Sequence, residues 1–366
     1  MRVARSVPMG SAGHGRVVVM DHVDGRSRSA VAAVRALASA NYSPVVAVSG
    51  GPSAAAASIS SAGVMRIPRP DHPGVRETVE HYLQAHPGSA VLAASDQVLV
   101  ALDLPGAHLV DKAALPKLAS RAGMSVPPTQ EFATNTDLLE AAGDLEYPIV
   151  VKAAVKELPD QVARRVDSPR ELPDVLASLS GIVVVQPFAR GPMRAVCGVI
   201  SDGRLLAAAH QRYLRIWPPE CGTASAAVTT EPDLDLEARL PVLLDGHSGV
   251  FQVQLVGDEV IDVNPRVYGS LPLAVAAGAN LPAIACRAAA GEHGSDIVRA
   301  RPGVCYRWLE GDFRRVLHDV RHGSLTLRAA GRALWPRRGT AHSVESVRDP
   351  GPGLVRLMGA ARRSSS

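Results

Sequence analysis

The stretch GVFQVQLVGDEVIDVNPRVYGS, Gly249 to Ser270, carries two short runs that alternate apolar and polar residues around Gly257, Asp258 and Glu259. Alternation at period two marks strands with one buried face, and the glycine-acid segment between them marks a hairpin. A three-residue loop sets Gln254 opposite Asp262 and Gln252 opposite Asn264. Those four side chains then share one face, while Val253, Leu255, Ile261 and Val263 share the other. A two-residue loop would oppose Gln254 to Ile261 and mix the faces, so the pattern selects the register.

The polar face offers one carboxylate and three amide oxygens, with Arg266 just beyond it. Buried without partners, such groups are costly. Two readings follow: a solvated face that turns at Asn264-Pro265, or a face that meets a charged ligand. Oxygen-only donors suit Mg²⁺, which takes few protein ligands and completes its shell with water or substrate phosphate. Arg266 would then hold a phosphate oxygen.

The lysines point the same way. Of 39 basic residues only four are lysine, namely Lys112, Lys117, Lys152 and Lys156, all within one short section. Arginine therefore supplies the ordinary surface charge. A lysine ammonium is compact, with three donors, and suits a phosphate oxygen in a tight place. Lys112 and Lys152 are the strongest candidates.

Working outward, Arg16 to Val110 alternates strands (RVVVMD, SPVVAVSG, GVMRIP, SAVLAASD) with helices over 27–39 and 76–85, the pattern of a parallel sheet with covering helices. The stretch SGGPSAAAASISSAG fits no phosphate-loop spacing and is expected to form a loop and a small helix. A helix is expected over 112–121, capped by Asp111 and ended by Gly123, and another over 135–142. Then come a strand containing Lys152, a helix in SPRELPDVLASL, and the strand GIVVVQPFARG. Beyond Gly191 strands outnumber helices, which implies a largely antiparallel sheet. The Arg-rich tail ends in ARRSSS, expected to be disordered.

Composition removes several classes. With 366 residues, 46% hydrophobic, the chain can fill more than one core, although aromatics are only 4%. A net charge of +4 does not imply nucleic-acid binding, and the tail's arginines are interleaved with Glu310, Asp312, Asp319, Glu345 and Asp349. The four cysteines have no metal-type spacing and read as reduced residues of a cytoplasmic protein. The basic start leads only into RVVVM, too short for a signal or membrane segment.

At this point the chain resembles the ATP-grasp enzymes, through DKAALPKLASRAGMSVPPT, YPIVVKAAV, VVVQPFARG and GVFQVQLVGDEVIDVNPRVYGSLPLAVAAGANLP, in the family's order and spacing over about 110 to 290. It is most similar to the stand-alone, carbamoyl-phosphate-synthase-like group, with NPRVYGSLPLA where many members have NPRFWGSLPLA. The resemblance implies a small parallel α/β domain (1–110) before a two-lobed grasp, with a small lobe (111–190), a large lobe (191–300) and a C-terminal extension (301–366). It implies an ATP- and Mg²⁺-dependent ligase, with Mn²⁺ as an alternative ion, that joins a carboxylate to an amine or related nucleophile through an acylphosphate.

By the same resemblance Lys112 and Lys152 hold nucleotide phosphates, and Val185, Gln186, Pro187 and Phe188 form the linker that meets adenine. Gln254, Asp262 and Asn264 are the metal ligands, and Arg266 faces the transferred phosphoryl group, with Lys152 beside it in catalysis. His210, Arg212 and Arg215 are candidates to grip the substrate carboxylate. Expected partners are small molecules, with neither nucleic acid nor membrane, and a homodimer stays open. The chain departs from the family at Gln254 and Asp262, where glutamate is usual, and at Pro187, where an acid often meets the ribose. The loop after Lys152 lacks glycine, leaving Lys156 to cover the phosphates. These departures sustain a rival reading, a nucleotide-binding regulatory or assembly protein without turnover.

Overall fold

Val17, Val18 and Val19 lie in β1 (Arg16–Met20), each no more than 1% exposed. A strand buried on both faces needs cover on both, and the chain provides it by alternating strands with helices. The computed structural model describes residues 15–156, 161–292 and 294–363. After β1 come α1 (Arg28–Ser39), β2 (Ser43–Val48), β3 (Gly63–Arg66), α2 (Gly74–Ala85), β4 (Ala90–Ala93) and α3 (Asp96–Ala101). The four strands pair in parallel in the order β3-β2-β1-β4, as the alternation predicts. The Ser27 and Ser95 hydroxyls cap α1 and α3 by accepting from Ala30 and Val98 N–H. The small helix expected after Gly51 does not form. That segment makes turns, and its Ser53 hydroxyl donates to the Asp21 carboxylate.

Helix α4 (Leu115–Arg121) starts three residues later than expected. The Lys112 amide donates to Ala154 O and the Ala113 amide to Asp111 Oδ1, so the first residues are spent on other contacts. A small lobe follows: β5 (Gln130–Phe132), α5 (Asn135–Glu140), β6 (Ile149–Ala153), β7 (Arg164–Val166), α6 (Leu172–Leu176) and β8 (Val183–Pro187). The helix expected over 135–142 ends its α-helical part at Glu140 and closes in a 3₁₀ turn. The strands form an antiparallel sheet in the order β5-β8-β6-β7. Ile149, Val151, Val183 and Val185 face its own core, which leaves Val150, Lys152 and Gln186 on the opposite face.

The large lobe is the sheet β13-β12-β9-β10-β11-β15-β16, with β14 paired to β10. Its members are β9 (Met193–Ser201), β10 (Arg204–Trp217), β11 (Thr223–Thr229), β12 (Gly249–Val256), β13 (Glu259–Asn264), β14 (Val298–Arg299), β15 (Cys305–Arg307) and β16 (Ala341–His342). Helix α7 (Leu234–Leu243) precedes β12, and α8 (Leu271–Ala276) and α9 (Leu281–Ala289) follow β13. The pairing is antiparallel except for β14 on β10 and β16 on β15. At Gly198 an added Cβ would stand 2.1 Å from Ala207 O and within 3 Å of the Phe251 ring, so this crossing of β9 and β10 requires glycine.

The Arg-rich tail extends this sheet: β15 pairs with β11, and Tyr306 is 2% exposed. Beyond it lie α10 (Leu309–Arg321), α11 (Leu327–Leu334) and α12 (Gly351–Arg363). Asp349 returns to the N-terminal unit, accepting from Arg35 Nε at 2.8 Å and from the Ser58 hydroxyl at 2.6 Å. Of the expected disordered ARRSSS end, residues 361–363 continue α12, and the serines lie outside the described residues, as do residues 1–14.

Candidate active site between the two lobes

The hairpin decides the site. Gln252 pairs with Asn264 and Gln254 with Asp262, the register that the alternation selects. The loop differs from the expectation. Leu255 pairs with Val260 and Val256 with Glu259, so two residues turn the chain and the extra residue forms a bulge at Ile261. Val260, not Ile261, therefore joins Val253, Leu255 and Val263 on the buried face, against Leu115, Ala119 and Met124. Burying each such side chain contributes about 1.5–3 kcal/mol, which fixes the polar face outward. Ile261 goes to the cavity side, where its carbonyl accepts from Lys152 Nζ at 2.9 Å.

The cavity, about 280 Å³, lies between the polar faces of the small and large sheets. Lys112, Lys152, Gln254, Asp262, Asn264 and Arg266 all line it. So do Gln186, Pro187 and Phe188, whereas the Val185 side chain points into the small lobe's core. The Gln186 amide donates to the Thr129 hydroxyl at 2.8 Å, and the Arg165 guanidinium lies 4.6 Å from the Phe188 ring centre. Lys156 also lines the cavity, but residues 157–160 of its loop lie outside the described residues.

Charges are closely arranged here. Lys112 Nζ is 3.8 Å from Asp262 Oδ1, and Asp262 Oδ2 accepts from Asn264 Nδ2 at 3.2 Å. Asn264 Oδ1 in turn accepts from Arg266 Nη2 at 2.8 Å. Burial draws the Lys152 ammonium down to a pKa of about 8, only partly opposed by the Asp262 charge. The Gln252 and Gln254 amides donate to the Tyr213 hydroxyl, at 3.3 and 3.0 Å.

Three contributors escaped sequence reasoning. Asp96, at the start of α3, binds Arg266 through Nε–Oδ1 at 2.5 Å and Nη2–Oδ2 at 3.3 Å. Burial alone would raise the Asp96 carboxyl, but the Arg266 guanidinium outweighs it and holds the pKa at about 2. Arg28 and Tyr213 also line the cavity. The Ser95-Asp96 cap marks the start of a helix in the sequence, but nothing local gives Asp96 a distant arginine.

His210, Arg212 and Arg215 are not brought to the cavity. On β10, Ala207, Ala209 and Tyr213 face the α8–α9 core and the cavity, so period two turns His210 and Arg212 to the other face. His210 Nε2 lies 3.0 Å from Glu237 Oε1, a carboxylate that also accepts from Arg299. Arg212 is exposed, and Arg215 donates to Asp312 at 2.6 Å. His210 and Arg215 are thus taken up by contacts within the large lobe.

No family model matches the sequence, and no curated protein matches it in sequence. Solved structures match the fold. The crystal structure of an L-amino acid ligase from Bacillus licheniformis gives a TM-score of 0.56 at 17% identity, covering 76% of this chain and 75% of that one. N5-carboxyaminoimidazole synthetase from Staphylococcus aureus complexed with ADP gives 0.61 at 12% identity, covering 80% and 82%. Carboxyaminoimidazole ribonucleotide synthase from Aspergillus clavatus complexed with ATP gives 0.61 at 16% identity, covering 80% and 81%. The chain has the fold of the ATP-grasp ligases. At these identities the likeness defines architecture, and chemistry rests on the cavity's own residues. Among the described residues no helix is long and apolar enough to cross a membrane.

Proposed function

We propose that this chain is an ATP-dependent ligase that joins a small carboxylate to an amine or related nucleophile through an acylphosphate. The observation that carries this reading is the convergence of Lys112, Lys152, Asp262, Asn264 and Arg266, from three separate segments, on one cavity between two sheets. Under it the nucleotide lies against Gln186 to Phe188, with its phosphates toward Lys112 and Lys152. A carboxylate oxygen attacks the γ-phosphorus and ADP leaves. The amine then attacks the acyl carbon, phosphate departs, and the amine loses a proton to solvent. Such chemistry depends on positioning and on neutralising charge that develops on the phosphoryl group, a task suited to Arg266 and Lys152.

A magnesium ion fits the donor set in a limited way. Among the described residues no group of three or more His, Cys, Asp or Glu side chains gathers to hold an ion. Asp262 supplies a carboxylate, Asn264 and Gln254 supply amide oxygens, and nucleotide phosphates would complete the shell. Bound there, the ion would draw charge from the β- and γ-phosphate oxygens. Because Gln254 is neutral and Asn264 Oδ1 already accepts from Arg266, a second reading has specific support: a nucleotide binder without turnover.

ADP release, screened against pools of small carboxylic acids with and without amines, separates the two. ADP formed with one acid supports the ligase. Nucleotide binding without ADP release from any pool transfers the assignment to the binder.

A further inference from the structure

Arg28 stands apart from the other inward-facing arginines. Arg35, Arg215, Arg266 and Arg307 each pair with a carboxylate. The Arg28 guanidinium is partly buried and, among the described residues, is held by neutral groups. Nη1 donates to the Tyr306 hydroxyl at 3.2 Å, Nη2 donates to the Thr223 hydroxyl at 2.8 Å, and Cζ lies 3.8 Å from the centre of the Trp308 ring. Tyr306 is itself fixed by donating to Gly269 O at 2.9 Å. A guanidinium has five donors, so two spent bonds leave the fork unfilled. Among the described residues no carboxylate pairs with it directly, and Glu310 and Glu345 attract it without contact, so an arriving anion would meet a desolvated charge with open donors.

Arg28 also occupies a boundary. A second cavity of about 190 Å³ adjoins the first, and Arg28, Asp96, Lys156, Arg266 and Gly269 line both. Among the described residues its walls carry three cationic side chains, those of Arg28, Lys156 and Arg266, and one carboxylate, that of Asp96, which Arg266 already engages. His22, 3.3 Å from Asp24, lies at the same wall. Gly269 makes room for the guanidinium: a Cβ there would stand 3.1 Å from Nη2. The floor between the cavities is thus built for a planar cation, within reach of the place where Arg266 would meet the phosphoryl group.

The geometry points to Arg28 as the anchor of a second oxyanion on the ligated substrate, so that the chain takes a small acid or amine bearing a carboxylate or phosphate beyond the group that reacts. The inference rests on the ligase reading. The reacting group lies in the first cavity beside Arg266, and the spare oxyanion enters the second, where the Arg28 fork accepts a planar carboxylate or two phosphate oxygens. A substrate without that oxyanion leaves the guanidinium desolvated and unpaired, and is rejected for that reason.

Direct binding tests this independently of turnover. With Mg·ADP saturating the nucleotide site, succinate and inorganic phosphate are titrated calorimetrically into wild type, Arg28→Ala and Arg28→Lys, with propanoate as the singly charged control. The expected result is binding of succinate, phosphate or both to wild type, weakened at least about 30-fold in Arg28→Ala and less in Arg28→Lys, each protein being saturated with Mg·ADP at its own measured affinity. Which anion binds distinguishes a carboxylate-bearing from a phosphate-bearing substrate. Thr223→Val, which removes one neutral support of the fork, should weaken the same anion several-fold and serves if Arg28→Ala does not fold. A purely structural Arg28 would lower the melting temperature of the variants and leave anion affinity within about threefold of wild type, which overturns the inference. So does an absence of anion binding in wild type. If Mg·ADP itself fails to bind, the ligase reading falls, and the same titrations without nucleotide still decide whether Arg28 holds an oxyanion.

Discussion

Asp96 and Arg266 lie 170 residues apart and form a two-pronged ion pair, with Nε–Oδ1 at 2.5 Å and Nη2–Oδ2 at 3.3 Å. The pair ties the parallel N-terminal unit to the end of the hairpin strand that also carries Asp262 and Asn264. Arg266 is thereby aimed by a residue of another unit.

Asp96→Asn should therefore act on both stability and rate. Removing one partner of a largely buried pair leaves the other uncompensated, at a cost of about 3 kcal/mol. Urea unfolding measures that loss. The freed guanidinium also loses its direction, so kcat should fall more than KM for ATP rises. A variant as stable and as active as wild type would show that the pair positions nothing.

If the ligase reading holds, Mg·ATP should raise the melting temperature of wild type, and Lys152→Ala should abolish most of that rise. A ligand bound only by the native state stabilises it, by about 2.7 kcal/mol at a hundredfold excess over Kd. Lys152 is 6% exposed and directed into the cavity, so no neighbouring solvent ion substitutes for it. An undiminished shift would move the phosphates elsewhere.

The same lysine predicts a pH dependence. Its pKa falls from the ordinary 10.5 to about 8 in the folded chain. Below about pH 8 both folded and unfolded chains keep the proton, and the folded chain bears the full burial penalty. Between about 8 and 10.5 the unfolded chain binds more protons, so stability should rise with pH across that window. Nucleotide phosphates favour the ammonium, so Mg·ADP binding should take up a proton at pH 9 and weaken there, with little uptake at pH 7. Calorimetry in two buffers of different ionisation enthalpy reads the uptake, and Lys152→Met should remove it.

Asp262→Asn should reduce turnover at least about 100-fold, since it removes the hairpin's one carboxylate on the cavity side. Gln254→Glu should be tolerated, because the Tyr213 hydroxyl can donate to the new carboxylate as readily as it accepts from the amide. Magnesium dependence of the rate should shift to lower concentration in that variant. Wild-type turnover in Asp262→Asn would remove the metal assignment.

The sequence by itself determined the elements whose signal is local. Period-two alternation fixed the pairing of Gln254 with Asp262, because a one-residue slip would have buried the amides and exposed Val253. Strand–helix alternation fixed the parallel N-terminal sheet, and the rarity of lysine singled out Lys112 and Lys152. Tertiary structure decided what depends on contacts between distant segments. The bulge exchanges Ile261 for Val260 on the face that packs against α4, a contact between distant segments. His210 goes to Glu237 because of which face of β10 the large lobe covers, and Arg28, Asp96 and Tyr213 reach the cavity only once separate sheets close around it. Side-chain periodicity along one strand is imposed by backbone geometry and is written in neighbouring residues. The partner of a buried charge is set by packing across the whole chain, and no local pattern records it.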